Sequence, residues 1–380
     1  MNEKIGILTF HKSINYGSVL QSWALSKVIS KRFVVEIIDY EPQNYEFLYA
    51  NYRQWNSWNN IKYNLKRMPL SSALNNQQQL FKKFRDKQLP LSIGAKKQVI
   101  EDVVAKLKEE YKGIVVGSDQ VWNIRAKDCD PIFFLPFNYS GNKVSYACSI
   151  NDTDYTEKNL PSNLASEICD FDFISIREES GKNKLEQFIA KQKKVYTLLD
   201  PTLLCNSSEY DSLLNDRIVD GKYIFLYNVW TSEVGIQAAK FLSEKLNMPV
   251  YTIMTASNVK EINLLKKSGI LVDTVRTSPS DFLNFFKYAS YIVTESFHGT
   301  AFSLIFEKPF VCVSNRTNDE RLNNILTLVG LKDRYMKLGE LQTYDLKQEI
   351  DYEIVTEKKE KRAGECIELL YKAIGGEAKS

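Results

Sequence analysis

KIGILTFHKSINYGSVLQSWALSKVISKRFVVEIIDY, residues 4–40, is the stretch that decides the fold. Lys4–Phe10 is an apolar run of strand length, and His11–Ser18 is a polar loop. In Ser18–Ser30 the residues Val19, Leu20, Trp23, Ala24 and Val28 fall on one helical face, and Phe33–Tyr40 reads as a second strand. A strand, a helix and a strand joined by a short polar turn are how a parallel sheet with crossover helices begins.

Outward from there, the pattern weakens between Glu41 and about Gly94 into Asn, Gln, Tyr and Trp, with helical stretches near Ile61–Arg67 and Leu80–Lys87. We read residues 41–94 as an insertion or flap. Order returns with a helix at Gln98–Tyr111 and strands at Gly113–Gly117, Lys143–Ile150 and Phe171–Ile176. Lys194–Leu204 leads into the polar stretch Asn206–Gly221, and alternation restarts at Lys222–Val229. Helices at Ser232–Leu246 and Ser280–Ala289 then alternate with strands near Val250–Met254, Leu271–Val275, Tyr291–Glu295 and Pro309–Ser314. A helix at about Lys358–Ile374 follows. The expected organisation is two α/β domains, 1–205 and 222–340, with a helical segment at 341–380.

The composition narrows the function classes. The chain has 380 residues, 44% of them apolar and 26% charged, which is the balance of a folded globular protein. Fifty Lys and Arg against 47 Asp and Glu leave +3, too even a mixture for a nucleic-acid surface, so an anion site must be local. Met1–Phe10 has neither the basic nor the apolar region of a signal peptide, and no run of about eighteen apolar residues occurs, so a cytosolic placement is expected. Six cysteines without a C-x-x-C read as reduced, mostly buried thiols. No metal site is expected, because His, Cys and acidic residues do not cluster at ligand spacing.

Ligands of open α/β sheets bind outside the carboxyl ends of the strands, so the loops after the strands are the places to search. The first holds His11 and then Asn15, Tyr16 and Gly17, suited to a tight turn, with Ser18 as a candidate helix cap. After GIVVG comes SDQVWN, which sets Asp119, Gln120, Trp122 and Asn123 behind a buried strand. After FDFISI comes Arg177, whose charge opposes the dipole of a following helix unless an anion or carboxylate compensates it. After the strand at Tyr291–Glu295 come Ser296, His298, Gly299 and Thr300, a strand–turn–helix whose glycine admits close approach and whose helix start favours an anion. Arg316 and Arg321 follow the last strand; for both, a solvated charge is the plainer reading. His298 and His11 are the only two histidines. His298 reads as a functional imidazole, whereas His11 reads equally well as the organiser of its own loop. Asp119 alone reads as a cap or turn former. Trp55, Trp58 and the tyrosines around them could stack on sugars, and buried packing explains them as well. Neither a G-x-G-x-x-G, nor a P-loop, nor a G-x-S-x-G elbow is present.

NYGSVLQ (Asn15–Gln21), GSDQVWN (Gly117–Asn123), SIRE (Ser175–Glu178), LDPTLL (Leu199–Leu204) and ESFHGTAFSLIF (Glu295–Phe306), taken in order, resemble the polysaccharide pyruvyl transferase family. The resemblance reaches from the first loop to about Arg321. It implies two Rossmann-like domains with parallel sheets facing across a cleft, the glycosyltransferase B type of architecture. It also implies an enzyme that moves the pyruvyl group of phosphoenolpyruvate onto sugar hydroxyls as a ketal and releases phosphate.

On that resemblance His298 is the expected acid or phosphate contact and Asp119 the base. Arg177, Ser296, Gly299, Thr300 and Arg316 are expected at the donor, and Asn15, Tyr16, Gly17, Gln120, Asn123 and His11 at the acceptor. Some branches of the family carry Arg two residues before the histidine, where this chain has Ser296, which shifts the expected phosphate charge onto Arg177 and Arg316. No cofactor is expected beyond phosphoenolpyruvate as co-substrate. The expected partner is a sugar or glycan precursor, with a lipid-linked acceptor and peripheral contact at the inner membrane face compatible with it. The alternatives are a nucleotide-sugar-dependent glycosyltransferase of the same architecture and a non-catalytic glycan- or anion-binding protein.

Overall fold

A computed structural model describes residues 4–42, 48–92, 100–151, 153, 155, 160–255, 258–314 and 319–375. The chain divides into two units, one formed by 1–49, 85–205 and 360–380, the other by 50–84 and 206–359.

The first unit opens with β1 (Lys4–Leu8), α1 (Tyr16–Ile29) and β2 (Val34–Ile37). The chain then leaves to form α2 (Trp58–Arg67) and most of α3 (Ser71–Gln88), and returns through α4 (Ile100–Glu110). Next come β3 (Gly113–Val116), β4 (Asn142–Ser145), α5 (Leu164–Cys169), β5 (Ile174–Ile176), α6 (Glu179–Phe188) and β6 (Val195–Thr197). The strand order is β2-β1-β3-β4, and every pairing is parallel. A parallel β5-β6 pair extends from the β4 side through bridges at Val144–Phe173 and Cys148–Ile176. The strand expected over Lys143–Ile150 stops at Ser145, and Ala147 at φ 45° takes the chain out of extended backbone.

Ile114, Val115 and Val116 are wholly buried, as a parallel strand covered on both faces requires. Trp122 is core as well. Its ring packs on Phe134 and Phe171, and its Nε1 donates to Phe133 O at 2.9 Å. The last helix, read from sequence with the C-terminal segment, begins at Tyr352 in the second unit and ends at Gly375 in the first. There Tyr371 donates to Val28 O at 2.8 Å and Arg362 to Thr197 O at 2.6 Å.

The second unit contains α7 (Ser207–Asp211), β7 (Ile224–Tyr227), α8 (Glu233–Leu246), β8 (Val250–Ile253), α9 (Val259–Lys267), β9 (Ile270–Asp273) and α10 (Pro279–Tyr288). It continues with β10 (Tyr291–Thr294), α11 (Phe297–Ile305), β11 (Phe310–Val313), α12 (Glu320–Val329) and β12 (Tyr335–Met336), a strand too short to be seen in the sequence pattern. The order β12-β11-β10-β7-β8-β9 is all parallel. Counted from β7 this is 6-5-4-1-2-3, the doubly wound dinucleotide-domain order. Residues 50–84 pack on this sheet's periphery: Gln77 donates to Met254 O at 2.9 Å, Asn76 donates to Val275 O at 2.7 Å, and Leu74 packs with Met254 and Ile262. All six cysteines are free, and four are buried. Among the described residues no helix is long and apolar enough to cross a membrane.

Candidate functional site

In an open parallel sheet the crevice for a ligand opens where strand order reverses, because there the crossovers leave on opposite faces. The first unit reverses between β1 and β3, and the second between β7 and β10. Three of the polar loops singled out in the sequence, those after β1, β3 and β10, stand at these two points.

At the first reversal Asn15 caps α1, its Oδ1 accepting from Gly17 N at 2.9 Å and Ser18 N at 3.3 Å. Ser18 Oγ donates to Asp119 Oδ2, and Gln120 N donates to Asp119 Oδ1 at 2.9 Å, so the carboxylate is oriented from both sides. Asp119 stands at φ 69°, a strained backbone for a non-glycine residue, while its neighbour Ser118 is wholly buried. Gln21, also wholly buried, locks the two loops together. Its Nε2 donates to Thr9 Oγ1 at 2.9 Å and its Oε1 accepts from Ser118 N at 3.2 Å. The sequence carried Gln21 within NYGSVLQ but gave no sign of this role, since the partner lies 97 residues away.

Arg177 is 6% exposed, with Nη1 on Asp200 Oδ2 at 2.5 Å and Nε 3.8 Å from Glu178 Oε1. Glu178 in turn accepts from Ser149 Oγ. Burial alone would lower the arginine's pKa; Asp200, Glu178 and Asp119 more than offset this and raise it above the ordinary value. The compensation that the sequence left between an anion and a carboxylate is thus made by carboxylates of the protein itself. Asp200 also caps the following turn, accepting from Thr202 N at 3.0 Å, which explains the LDPT motif.

The remaining residues of this corner divide by exposure. Asp119 and Gln120 are half-buried and reachable. Asn123 is buried and tied to Gln120 and Thr153, and Tyr16 is buried in the first turn of α1. Gly17 is buried there too. His11 is 1% exposed, its Nδ1 facing Thr9 O at 3.1 Å and its Nε2 facing Asp39 Oδ1 at 3.0 Å. It organises its loop and presents no ring edge to a ligand.

At the second reversal Asn228, just after β7, joins the two loops. Its Nδ2 donates to Glu295 Oε1 at 2.8 Å and its Oδ1 accepts from Glu295 N at 2.7 Å. Ser296 is the N-cap of α11, its Oγ facing Gly299 N at 3.5 Å while its N–H donates to Thr294 Oγ1 at 3.0 Å. A Cβ on Gly299 would lie 2.1 Å from Thr294 Oγ1. The glycine is therefore required for packing the helix start against its own strand, and that, rather than approach to a ligand, is its physical reason. Thr300 is wholly buried and its N–H donates to Ser296 O at 2.9 Å, which removes it from the accessible surface. His298, half-buried on the first turn of α11, carries the imidazole at this end, its ring edge-on to Phe297 at 5.3 Å.

Trp230, 74% exposed in the loop between β7 and α8, is an aromatic that no periodicity in VWT singles out. Arg321 pairs with Asp319 at 3.3 Å, and Arg316 lies outside the described residues. Among the described residues no three His, Cys, Asp or Glu side chains converge as metal ligands.

The family model for polysaccharide pyruvyl transferase matches residues 15–317. No curated protein matches the chain. Among solved structures, UDP-GlcNAc 2-epimerase from Methanocaldococcus jannaschii is similar at 14% identity, TM-score 0.51, over 97% of this chain and 99% of that one. The epimerase from Neisseria meningitidis bound to UDP-GlcNAc is similar at 10% identity, TM-score 0.51, over 98% and 99%. The epimerase from Rickettsia bellii follows at 11%, TM-score 0.51, over 100% and 97%. At such identities the likeness is one of fold, and it places the chain in the glycosyltransferase B type of α/β architecture.

Two predictions follow from the first unit. Arg177→Met leaves Asp200 and Glu178 as buried, uncompensated carboxylates and should cost about 3–5 kcal/mol in urea unfolding; a loss under 1 kcal/mol would show that the pair holds nothing together. Burial lowers the His11 pKa despite Asp39, so below about pH 6.5 the unfolded chain takes up a proton that the folded one refuses. Stability from this group is complete above that pH and falls as pH drops through it. The Tm of the wild type should decline between about pH 7 and 5, and His11→Asn should flatten the decline.

Proposed function

Since the chain belongs to the polysaccharide pyruvyl transferase family, we propose that it transfers the pyruvyl group of phosphoenolpyruvate to two hydroxyls of a sugar in a glycan precursor. The observation that carries the reading is His298 on the first turn of α11, at the strand reversal of the second unit, inside the family match. The N-terminus of a helix favours an anion, and an imidazole on its first turn can give or take a proton there.

In the proposed reaction His298 protonates the enol methylene of phosphoenolpyruvate, turning CH2 into CH3 and leaving a cationic carbon. A sugar hydroxyl adds to that carbon and gives up its proton to a base. The carbon–oxygen bond to phosphate breaks, phosphate leaves with the electron pair and takes up a proton, and a second hydroxyl closes the ketal. Of the two protons lost by the sugar, one balances the new methyl and the other the phosphate.

The charges of the two ends support this division of labour. One guanidinium among Asp119, Glu178 and Asp200 makes the first unit's corner unfavourable for a trianion and suitable for hydroxyls. We therefore assign Asp119 and Gln120 to the acceptor and treat Arg177 as a positioning residue. Phosphoenolpyruvate goes to the Ser296–His298 turn, with Arg316 as its further cation. The acceptor as a lipid-linked precursor is compatible with this scheme and is not required by it.

His298→Ala and Asp119→Asn should each lower phosphate release from phosphoenolpyruvate in the presence of acceptor by ~10²–10⁴ while leaving Tm near that of the wild type. Near-normal turnover in either variant removes that residue from the mechanism. Phosphoenolpyruvate should also raise Tm with concentration, and UDP-GlcNAc, the ligand of the Neisseria neighbour, should not. The opposite pattern would favour a nucleotide-sugar enzyme.

A further inference from the structure

Helix α2 turns its polar side inward. Its one buried residue is Asn64, whose Oδ1 accepts from Arg53 N and whose Nδ2 donates to Arg53 O, both at 2.9 Å. Tyr63 is flanked on the same side by the guanidinium groups of Arg53, 4.1 Å from its ring centre, and Arg67, at 5.1 Å. Arg67 Nε donates to Asn51 O at 3.0 Å.

The opposite face, by i, i+4, i+7 spacing, carries Trp58, Lys62 and Leu65, with Trp55 just before the helix and Met68 just after it. Trp58 is 77% exposed, Trp55 58%, Leu65 55% and Met68 50%. A helix serving only the fold would place its apolar stripe against the core. Two of the chain's five tryptophans stand instead in solvent on one short segment, whereas Trp23 and Trp122 are buried. The charge is as one-sided as the hydrophobicity. Residues 50–84 contain Arg53, Lys62, Lys66, Arg67, Lys82 and Lys83 and no Asp or Glu, in a chain whose cations and anions otherwise nearly balance.

We propose that this arm is a docking surface for an anionic phospholipid bilayer. Trp55 and Trp58 enter the boundary between headgroups and acyl chains, Leu65 and Met68 add aliphatic area, and Lys62 and Lys66 meet the lipid phosphates. Of the possible occupants, a second copy of the chain would set six cations against six, which their mutual repulsion opposes. A single-stranded nucleic acid would use the cations and the tryptophan faces, but Leu65, Met68 and Pro69 offer no platform for a base and suit hydrocarbon. The inference is independent of the reaction proposed above, because none of these residues belongs to either strand reversal.

The test is co-sedimentation of the full chain with vesicles of phosphatidylcholine alone and of phosphatidylcholine mixed with phosphatidylglycerol, alongside tryptophan fluorescence. The expected result is binding to the mixed vesicles only, with a blue shift that salt reverses. Each of Lys62→Gln and Lys66→Gln should weaken binding about fivefold, and the double variant more. Trp55→Ala combined with Trp58→Ala should abolish the blue shift and most of the binding. All these variants should keep the wild-type Tm and phosphate release from phosphoenolpyruvate with a water-soluble acceptor. No binding to the mixed vesicles, or binding that these variants leave unchanged, overturns the proposal. So does binding of a homopolymeric single-stranded RNA that the same variants abolish while the vesicles stay unbound.

Discussion

An apolar parallel strand four residues long and covered on both faces, such as β3 or β10, leaves its polar groups to the ends. Ile114 to Val116 in β3 and Ile292 to Val293 in β10 are fully buried, so hydration, charge and chemistry gather in the loops just after them. The two strand reversals then select among those loops. Asp119 with Ser18 stands at one, and Glu295 with Asn228 and His298 stands at the other. The positions of these groups therefore follow from a packing constraint on apolar backbone before any chemistry is considered.

The two ends differ in how they are held. At the first, an ionic network fixes the loops: Asp200 and Glu178 hold Arg177, while Asp119 is oriented by a hydroxyl and a backbone amide. Such a network is stable because each buried charge has a partner, and it contributes definition of position more than net stability. At the second, an amide–carboxylate pair and a hydroxyl cap do the work. The Asn228–Glu295 pair and the serine cap set α11 against β10, and Gly299 is the contact that lets them meet.

The alternation of apolar runs with helical faces made the parallel sheets legible, since burial on both faces leaves a plain signal in KIGIL, GIVV and YIVT. Loop chemistry was legible as position and less so as role. Arg177 looked like a cation awaiting an anion because Asp200 is 23 residues off and its approach depends on β5 pairing with β6. Gly299 looked like room for a ligand because Thr294 beneath it cannot be inferred from spacing. Thr300 looked available, and His11 stood open between a ligand contact and the organiser of its own loop, because burial is a tertiary property. The segment 50–84 was legible only as weak pattern, for a reason now visible: α2 holds itself by Asn64 and Tyr63 and leaves its tryptophans outside, so its apolar positions do not report a core.

In the proposed reaction the enol carbon of phosphoenolpyruvate becomes the ketal carbon of a sugar after protonation of its methylene. The most direct measurement is turnover in deuterated water with carbon-13-labelled phosphoenolpyruvate and a panel of glycan precursors, read by nuclear magnetic resonance. The proposed reaction gives labelled ketal whose methyl group carries a single solvent deuterium, with one inorganic phosphate released per ketal. Label recovered only as free pyruvate, or glycan extended by a sugar while phosphoenolpyruvate stays intact, would contradict it.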